Sequence, residues 1–288
     1  MLQPRTRWVL PEPPDPPAEL VAAAAALGLG SWAASLLMRR GVSDPEALAR
    51  HLGDPRDALH DPALLPDSDR FIERVRTARE SDEVILVFGD FDADGITGLA
   101  VMTLALRRFG VKVIPYVPSR LDEGHGLSLA GLDAAERQGA GVIVTVDTGT
   151  TSITEIAEAR RRGIDVLVTD HHRVPDSLPA AVAIVNAHRP DSRYPDARLS
   201  GAGIAFALAR LLLGSDGAPD LADLAAIGTV ADVAPILGEN RAIVRLGLER
   251  IRTLPRPGLA ALLAKANIGP AAVDVETMAF ALAPRLNA

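Results

Sequence analysis

Val84-Ile-Leu-Val-Phe-Gly-Asp-Phe-Asp-Ala-Asp94-Gly95 decides how this chain is read. The run from Val84 to Phe88 is apolar at every position rather than at every second one. That pattern predicts a strand covered on both faces, as in the middle of a parallel sheet. Three alternating aspartates, Asp90, Asp92 and Asp94, follow it. Open α/β sheets bind their ligands at the carboxyl ends of strands, which is where these carboxylates are expected to stand. Carboxylates this close repel one another unless a cation lies among them, so the segment predicts a divalent metal site. Taken alone, it would also suit an aspartate-rich turn capping a helix that starts near Ile96.

Outward from this segment the chain alternates strand and helix. Strands are expected at Val84–Gly89, Val111–Val117, Val142–Asp147, Val166–Asp170 and Ala183–Asn186. Between them, Ile96–Phe109, Ser128–Gln138 and Thr151–Arg162 have helical length, with glycine at or near their ends. Repeated βαβ units imply right-handed crossovers and an α/β fold with a doubly wound, mostly parallel sheet. Asp220–Val230 and Arg241–Arg252 read as further helices. Ahead of the sheet, residues 1–70 form an expected helical extension that opens on the proline-rich stretch Pro11–Pro17. Helical spacing appears there at Leu20–Leu27, Ser31–Arg39 and Asp44–Leu52, and a helix over Asp69–Arg79 leads into the first strand. The expected division is 1–70 extension, 71–240 sheet domain and 241–288 helical segment. The last residues, Pro284-Arg-Leu-Asn-Ala288, carry no polar tail, and the chain is expected to continue beyond them.

Composition narrows the function. A chain of 288 residues with 48% hydrophobic content can bury one large core or two modest ones. No apolar run has the length of a membrane span, and the prolines near the start would break a secretory signal. The absence of cysteine excludes disulfides and thiolate metal sites and makes the cytoplasm the expected compartment. A net charge of -7 argues against a surface coated with basic groups for duplex DNA and leaves room for a narrow phosphate path.

Three further segments resemble the first in chemistry. Val142-Ile-Val-Thr-Val-Asp147 ends on a carboxylate before Thr148-Gly-Thr-Thr151, and Val166-Leu-Val-Thr-Asp170 runs directly into His171-His172. Gly228-Thr-Val-Ala-Asp232-Val233 puts one aspartate in an otherwise apolar segment, read here as another strand end; an unpaired buried charge there would be costly. Individually, Asp147 would serve as a helix cap and the histidines as turn residues. Together, Asp92, Asp94, Asp147, His171 and Asp232 are expected to converge at one sheet edge. Oxygen and imidazole ligands without sulfur suit manganese, magnesium or zinc. Five ligands exceed the need of one ion, so two ions about 3.5–4 Å apart and sharing a carboxylate are expected, the arrangement of phosphoester-cleaving sites.

With these motifs in view, the chain resembles the DHH phosphoesterases, named for the triplet present here as Asp170-His171-His172. Gly89-Asp-Phe-Asp-Ala-Asp-Gly95 is similar to the first motif of the RecJ-type single-strand-specific exonucleases. Asp147-Thr-Gly149, Asn186-Ala-His-Arg-Pro190, Ser200-Gly-Ala-Gly203, Gly228–Val233 and Arg285-Leu-Asn-Ala288 also resemble that subfamily. The resemblance covers about residues 80 to 288. It implies hydrolysis of single-stranded DNA from the 5′ end to mononucleotides, in recombination and repair, through two divalent cations, with manganese preferred and magnesium accepted. It further implies that Asp147 bridges the ions, that Asp94, His171 and Asp232 complete one site, and that Asp92 helps hold the other, where Asp90, as a further ligand or supporting group, or a substrate phosphate would fill the remaining position. His172 is then the donor facing the scissile phosphate, Asp170 orients the histidines, and Arg120 and Arg285 contact substrate phosphate. Single-stranded DNA is the implied partner, alongside repair proteins such as single-strand-binding protein or a helicase.

One position departs from the wider family. Pyrophosphatase-like members place a histidine ligand where this chain has Phe88, which argues against that activity and leaves the Asp92 ion short of protein ligands. Two other activities remain open at this point. One is a phosphodiesterase acting on short RNA or cyclic dinucleotides, against which stands the Gly-Asp-Phe-Asp form of the first motif. The other is an inactive scaffold, against which stands the full set of ligands. Aromatic residues make up only 3% of the chain. Stacking platforms for single strands are therefore expected mainly in the second lobe and OB-fold that the family carries.

Overall fold

The fold is taken from a computed structural model that describes residue 12, residues 14–214 and residues 217–287. Pro11 and Pro13 of the proline-rich start, and Ala288 of the final motif, lie outside the described residues. The chain forms two compact units, residues 1–58 and 59–288. In the smaller, α1 (Ala18–Ala26), α2 (Ser31–Met38) and α3 (Pro45–Leu52) enclose a core of Leu20, Ala24, Ala34, Val42 and Leu48. The first turn of α3 is set by sequence: the Asp44 carboxylate accepts from Ala47 N, with Pro45 in the next position.

In the larger unit, α4 (Ser68–Glu80) precedes a five-stranded parallel sheet of order β2-β1-β3-β4-β5. The strands are β1 (Val84–Gly89), β2 (Lys112–Tyr116), β3 (Ala140–Val146), β4 (Asp165–Thr169) and β5 (Ala183–Val185). The crossovers contain α5 (Ala93–Phe109), α6 (Leu129–Arg137) and α7 (Ile153–Arg161). The continuous apolar runs have the expected cause, because the sheet is covered on both sides. Ile85, Val87, Val142 and Val144 join one core with Met102, Leu106 and Phe206, while Leu86, Phe88, Ile143 and Val168 join another with Leu132 and Ile156. Phe88 is fully buried in that second core and stacks on Tyr116 at 5.4 Å between centroids.

Two elements near the cluster differ from the sequence-based expectation. Gly228–Val233 is not a strand: Asp232 follows directly on α9 (Ala222–Ala231), so its carboxylate reaches the sheet from a helix end. Strand propensity of the short apolar run gave way to packing, since α9 lies against α5, α8 (Gly201–Leu213) and α10 (Gly238–Thr253). Helix α8 itself is the second difference. Its sequence is apolar on nearly every side, so no helical period marks it, and it is almost wholly buried. Beyond α10 come α11 (Pro257–Lys265) and consecutive short helical segments at Val275–Thr277, Met278–Leu282 and Ala283–Leu286. Residues 59–70 and 241–288 share the compact unit of the sheet.

A buried polar network ties α10 to the sheet unit. Glu239 accepts from Tyr194 Oη at 2.7 Å and from His60 N at 3.2 Å, and Arg210 Nη1 stands 3.7 Å away. Burial is the main cause of a Glu239 pKa pushed up to about 7; Tyr194, His60 N and Arg210 oppose the rise, and Asp196 adds to it. A carboxyl with a raised folded pKa binds its proton more tightly when folded. It is therefore least harmful to stability below its unfolded value of 4.5 and destabilises as pH rises through 7. Between pH 5 and pH 8, Glu239→Gln is expected to gain on the order of 2–3 kcal/mol relative to the parent chain in urea unfolding. A difference that stays constant with pH would show that Glu239 does not titrate in this range.

Candidate metal centre

Strand register brings the predicted residues together. Gly89 pairs with Val146, and Val146 with Thr169, so β1, β3 and β4 end level. The ladder continues one step further: Asp90 N donates to Val146 O, Asp147 N to Thr169 O, and Asp170 N to Val185 O. Asp90, Asp147 and Asp170 thus form a row along the carboxyl edge of the sheet.

The centre is built around this row. His171 Nε2 lies 3.0 Å from Asp147 Oδ1 and 3.9 Å from Asp94 Oδ2, and His171 Nδ1 lies 3.9 Å from Asp232 Oδ2. Ligand-type atoms of Asp94, His171 and Asp232 gather within 4.8 Å of one another, as do those of Asp90, Asp92 and Asp147, and those of Asp147, His171 and His172. Asp147 belongs to two of these groups, one with Asp90 and Asp92 and one with His171 and His172, and His171 in turn belongs to the group of Asp94 and Asp232. It also adopts φ 63°, a left-handed conformation that is unfavourable for a residue with a side chain and that clusters at functional sites.

The donor set fits a cation by its own chemistry. Asp147 Oδ1 and His171 Nε2 are buried and face each other, yet neither makes a hydrogen bond of acceptable geometry. Buried polar atoms without partners are rare, and a bound ion would satisfy both. The carboxylates tell the same story. Burial, and then the charge of Asp232, push Asp94 up to about 6 against the opposing pull of His171 and two backbone amides. Asp147 is raised well above the ordinary carboxylate range by burial and by the charges of Asp94 and Asp92, and Asp232 is raised first by burial. Negative charges that destabilise one another in a dry site are stabilised together by a divalent cation.

Two of the carboxylates, Asp94 and Asp92, are held from behind. Asp94 sits in the first turn of α5, and its two oxygens accept from Gly201 N at 2.7 Å and Ala202 N at 2.9 Å, at the N-terminus of α8. Close packing makes this grip specific: a Cβ on Gly201 would lie 2.5 Å from Asp147 Oδ1, and one on Gly228 would lie 2.5 Å from Asp94 Oδ1. Asp92 does cap a helix, accepting from Gly95 N at 2.9 Å, which is why α5 starts at Ala93 instead of near Ile96. Its membership of the acidic cluster adds to the cap reading and does not replace it.

Asp170 contacts both histidines, His171 through its backbone and His172 through backbone and ring. Its Oδ1 accepts from His171 N, His172 N and His172 Nδ1 at 2.8, 3.1 and 2.7 Å, and its Oδ2 accepts from Thr150 N at 2.9 Å. Burial alone would raise Asp170, but the His172 ring and the Thr150 contacts hold it well below the usual carboxylate range. In return the Asp170 bond raises His172, against burial, and leaves Nε2 as its unoccupied ring nitrogen.

The remaining candidates separate. Asp90 is buried beside the cluster, with Oδ1 accepting from Phe91 N and Oδ2 lying 2.8 Å from His125 Nδ1. Arg120 is exposed, and its guanidinium lies over the Phe91 ring at 4.5 Å, one residue from Asp92. The His125 ring meets the same Phe91 at 4.4 Å. Arg285 is exposed and donates to Ala281 O on its own helical turn, and among the described residues no contact to the cluster is seen. Its neighbour Asn287 does reach the site, accepting from Ala93 N at 2.6 Å. Sequence reasoning assigned no role to His125 or Asn287. Each meets its partner across a long sequence separation that no local pattern reveals.

Comparisons with known proteins show what the chain is similar to. A family model described as DHH family, N-terminal domain, matches residues 84–229. The single-stranded-DNA-specific exonuclease RecJ of Bacillus subtilis is 38% identical over 291 residues, covering 100% of this chain and 36% of the relative. That of Escherichia coli is 43% identical over 236 residues, covering 76% of this chain and 41% of the relative. The crystal structure of RecJ in complex with Mn2+ from Thermus thermophilus superposes with a TM-score of 0.72 at 32% identity, covering 94% of this chain and 38% of that one. The chain therefore spans less than half the length of these relatives. Its sheet, its Asp170-His171-His172 triplet and the match over residues 84–229 establish that it belongs to the DHH family.

Proposed function

We propose that this chain forms the catalytic part of a metal-dependent exonuclease that degrades single-stranded DNA from the 5′ end to mononucleotides, in recombination and repair. The observation that carries the reading is the convergence of Asp92, Asp94, Asp147, His171 and Asp232, with Asp147 Oδ1 and His171 Nε2 left unpartnered in a buried site. The similarity to single-stranded-DNA-specific exonucleases supports the substrate. Every predicted ligand is in the cluster, which counts against an inactive scaffold.

Asp94, Asp147, His171 and Asp232 would hold one divalent cation, and Asp92 and Asp147 a second, with manganese preferred over magnesium because an imidazole suits the softer ion. Bound ions would supply charge neutralisation at the scissile phosphate and a water acidic enough to act as nucleophile near neutral pH. The protein groups do the rest. Asp170 fixes the His172 tautomer, so Nε2 carries the hydrogen bond or proton to a phosphate oxygen. Arg120, steadied on Phe91, offers a planar fork to a terminal phosphate. The cytoplasm suits a chain without cysteine.

The direct test is degradation of end-labelled oligonucleotides with manganese. Release of labelled mononucleotide from a 5′-labelled single strand, with little from a duplex, supports the reading; cleavage of short RNA or cyclic dinucleotides alone overturns it. In the same assay Arg120→Ala is expected to lose most of the preference for 5′-phosphorylated over 5′-hydroxyl ends, roughly a tenfold effect, since phosphate contacts position a strand without reading it. An unchanged ratio would make Arg120 an ordinary surface residue.

The two metal sites should differ in affinity. Asp92 spends one oxygen on Gly95 N, and both Asp90 oxygens already have protein partners. Calorimetry with manganese and no DNA is expected to resolve one strong event and one weaker by about tenfold or more, given the missing imidazole. Two equal events would mean that Asp90 or another group completes the second site.

A further inference from the structure

Asn186 follows β5 directly and is fully buried. Its amide is saturated: Nδ2 donates to His172 O at 2.9 Å and Thr150 Oγ1 at 3.1 Å, and Oδ1 accepts from His188 N at 2.9 Å. These partners lie in three segments, after β3, after β4 and after β5. Strand register places Asn186 there, because Thr169 pairs with Val185 and Asp170 N donates to Val185 O. Asp170 grips the same two neighbouring segments, through Thr150 N and through the His172 backbone and ring. His172 is thus held twice, by its ring through Asp170 and by its carbonyl through Asn186.

We infer that Asn186 is a positioning residue for His172: it sets where the imidazole stands beside the carboxylate cluster, while touching neither substrate nor metal. The inference rests on the cleavage reading above for its effect on rate, and on the hydrogen-bond geometry alone for its effect on His172. Both donors matter, since they meet a carbonyl and a hydroxyl oxygen on adjacent segments. An aspartate in this place keeps the shape and the acceptor for His188 N but turns an oxygen toward the His172 carbonyl. Loss of an outer partner of this kind displaces the group it orients without removing it.

The test is a double-mutant cycle on the full manganese-loaded chain with an end-labelled single strand. Asn186→Ala is expected to lower kcat by roughly 10- to 100-fold, with KM and manganese affinity changed less than twofold. In a His172→Ala background the same substitution should lower kcat less than twofold further, because a residue that acts through His172 has nothing left to act on. Equal losses in both backgrounds would overturn the inference and leave Asn186 a purely structural group. Should Asn186→Ala fail to fold, Asn186→Asp carries the same cycle. A readout without activity separates this inference from the functional one: in ¹⁵N-histidine spectra the His172 ring resonances should shift or broaden in Asn186→Asp while those of His51 and His60 stay in place. Unchanged His172 resonances would overturn it even if the rate fell. If the parent chain cleaves no single strand, the functional reading fails and the spectra still decide the role of Asn186.

Discussion

Asp147→Ala is expected to reduce metal-dependent cleavage by roughly a thousandfold or more, well beyond the 10- to 100-fold cost of losing an outer partner. Asp147 belongs both to the group with His171 and His172 and to the group with Asp90 and Asp92, and its Oδ1 lies 3.0 Å from His171 Nε2, so in the two-ion reading both sites lose a ligand at once. The fold should persist. Removing a buried carboxylate whose ionisation is disfavoured by burial and by Asp94 and Asp92 relieves repulsion in the metal-free protein. Against this, alanine fits the left-handed backbone at φ 63° less well, at about 1 kcal/mol. The two effects oppose each other, so the metal-free melting temperature should move little. Manganese then separates the proteins, because a ligand that binds only the folded state stabilises by mass action. The parent chain should gain several degrees in millimolar manganese and the variant close to none. Equal stabilisation of both, or cleavage by the variant within tenfold of the parent, would remove Asp147 from the centre.

Much of this centre is legible in the sequence because strands announce themselves when both faces are covered. Val84–Gly89 is a strand over the residues its apolar run marks, and Asp90, Asp147 and Asp170 follow the strands as expected. A carboxylate after an apolar run needs only the strand period to be located. Asp232 stands out for its cost in an apolar setting and does join the cluster, but its support is the end of α9 and not a strand. The expectation fails on local structure because a short alanine- and valine-rich run does not distinguish the two. Helix α8 is hidden for a related reason: a helix buried on nearly all sides has no polar face to mark its period. His125, Asn186 and Asn287 are illegible as functional groups for a different cause. Each has a hydrogen-bond partner between 14 and 194 positions away, and pairing over such distances is a property of the folded sheet.

Helix α8 also carries the second large effect. Gly201→Ala is expected to weaken manganese binding roughly 10- to 100-fold and to lower cleavage at least as much. The added Cβ would stand 2.5 Å from both Asp147 Cβ and Oδ1, closer than side-chain carbons approach one another. Neither side can yield cheaply, since Asp147 belongs to the strand ladder through Asp147 N and Thr169 O, and Gly201 N holds Asp94 Oδ2 at 2.7 Å. Relief requires the N-terminus of α8 to retreat from β3, which lengthens the two amide contacts that hold Asp94. Intrinsic propensity runs the other way, because alanine favours helix over glycine by up to about 1 kcal/mol. A variant that keeps its helical circular dichroism while losing manganese affinity would therefore isolate the geometry of the centre from the stability of the helix. Gly258→Ala, in the first turn of α11 with no atom within 4 Å of the added carbon, is the matched control and should bind manganese as the parent does. Retention of affinity within threefold by Gly201→Ala would mean that the first turn of α8 can move without disturbing Asp94, and that its amides are not what holds that carboxylate in place.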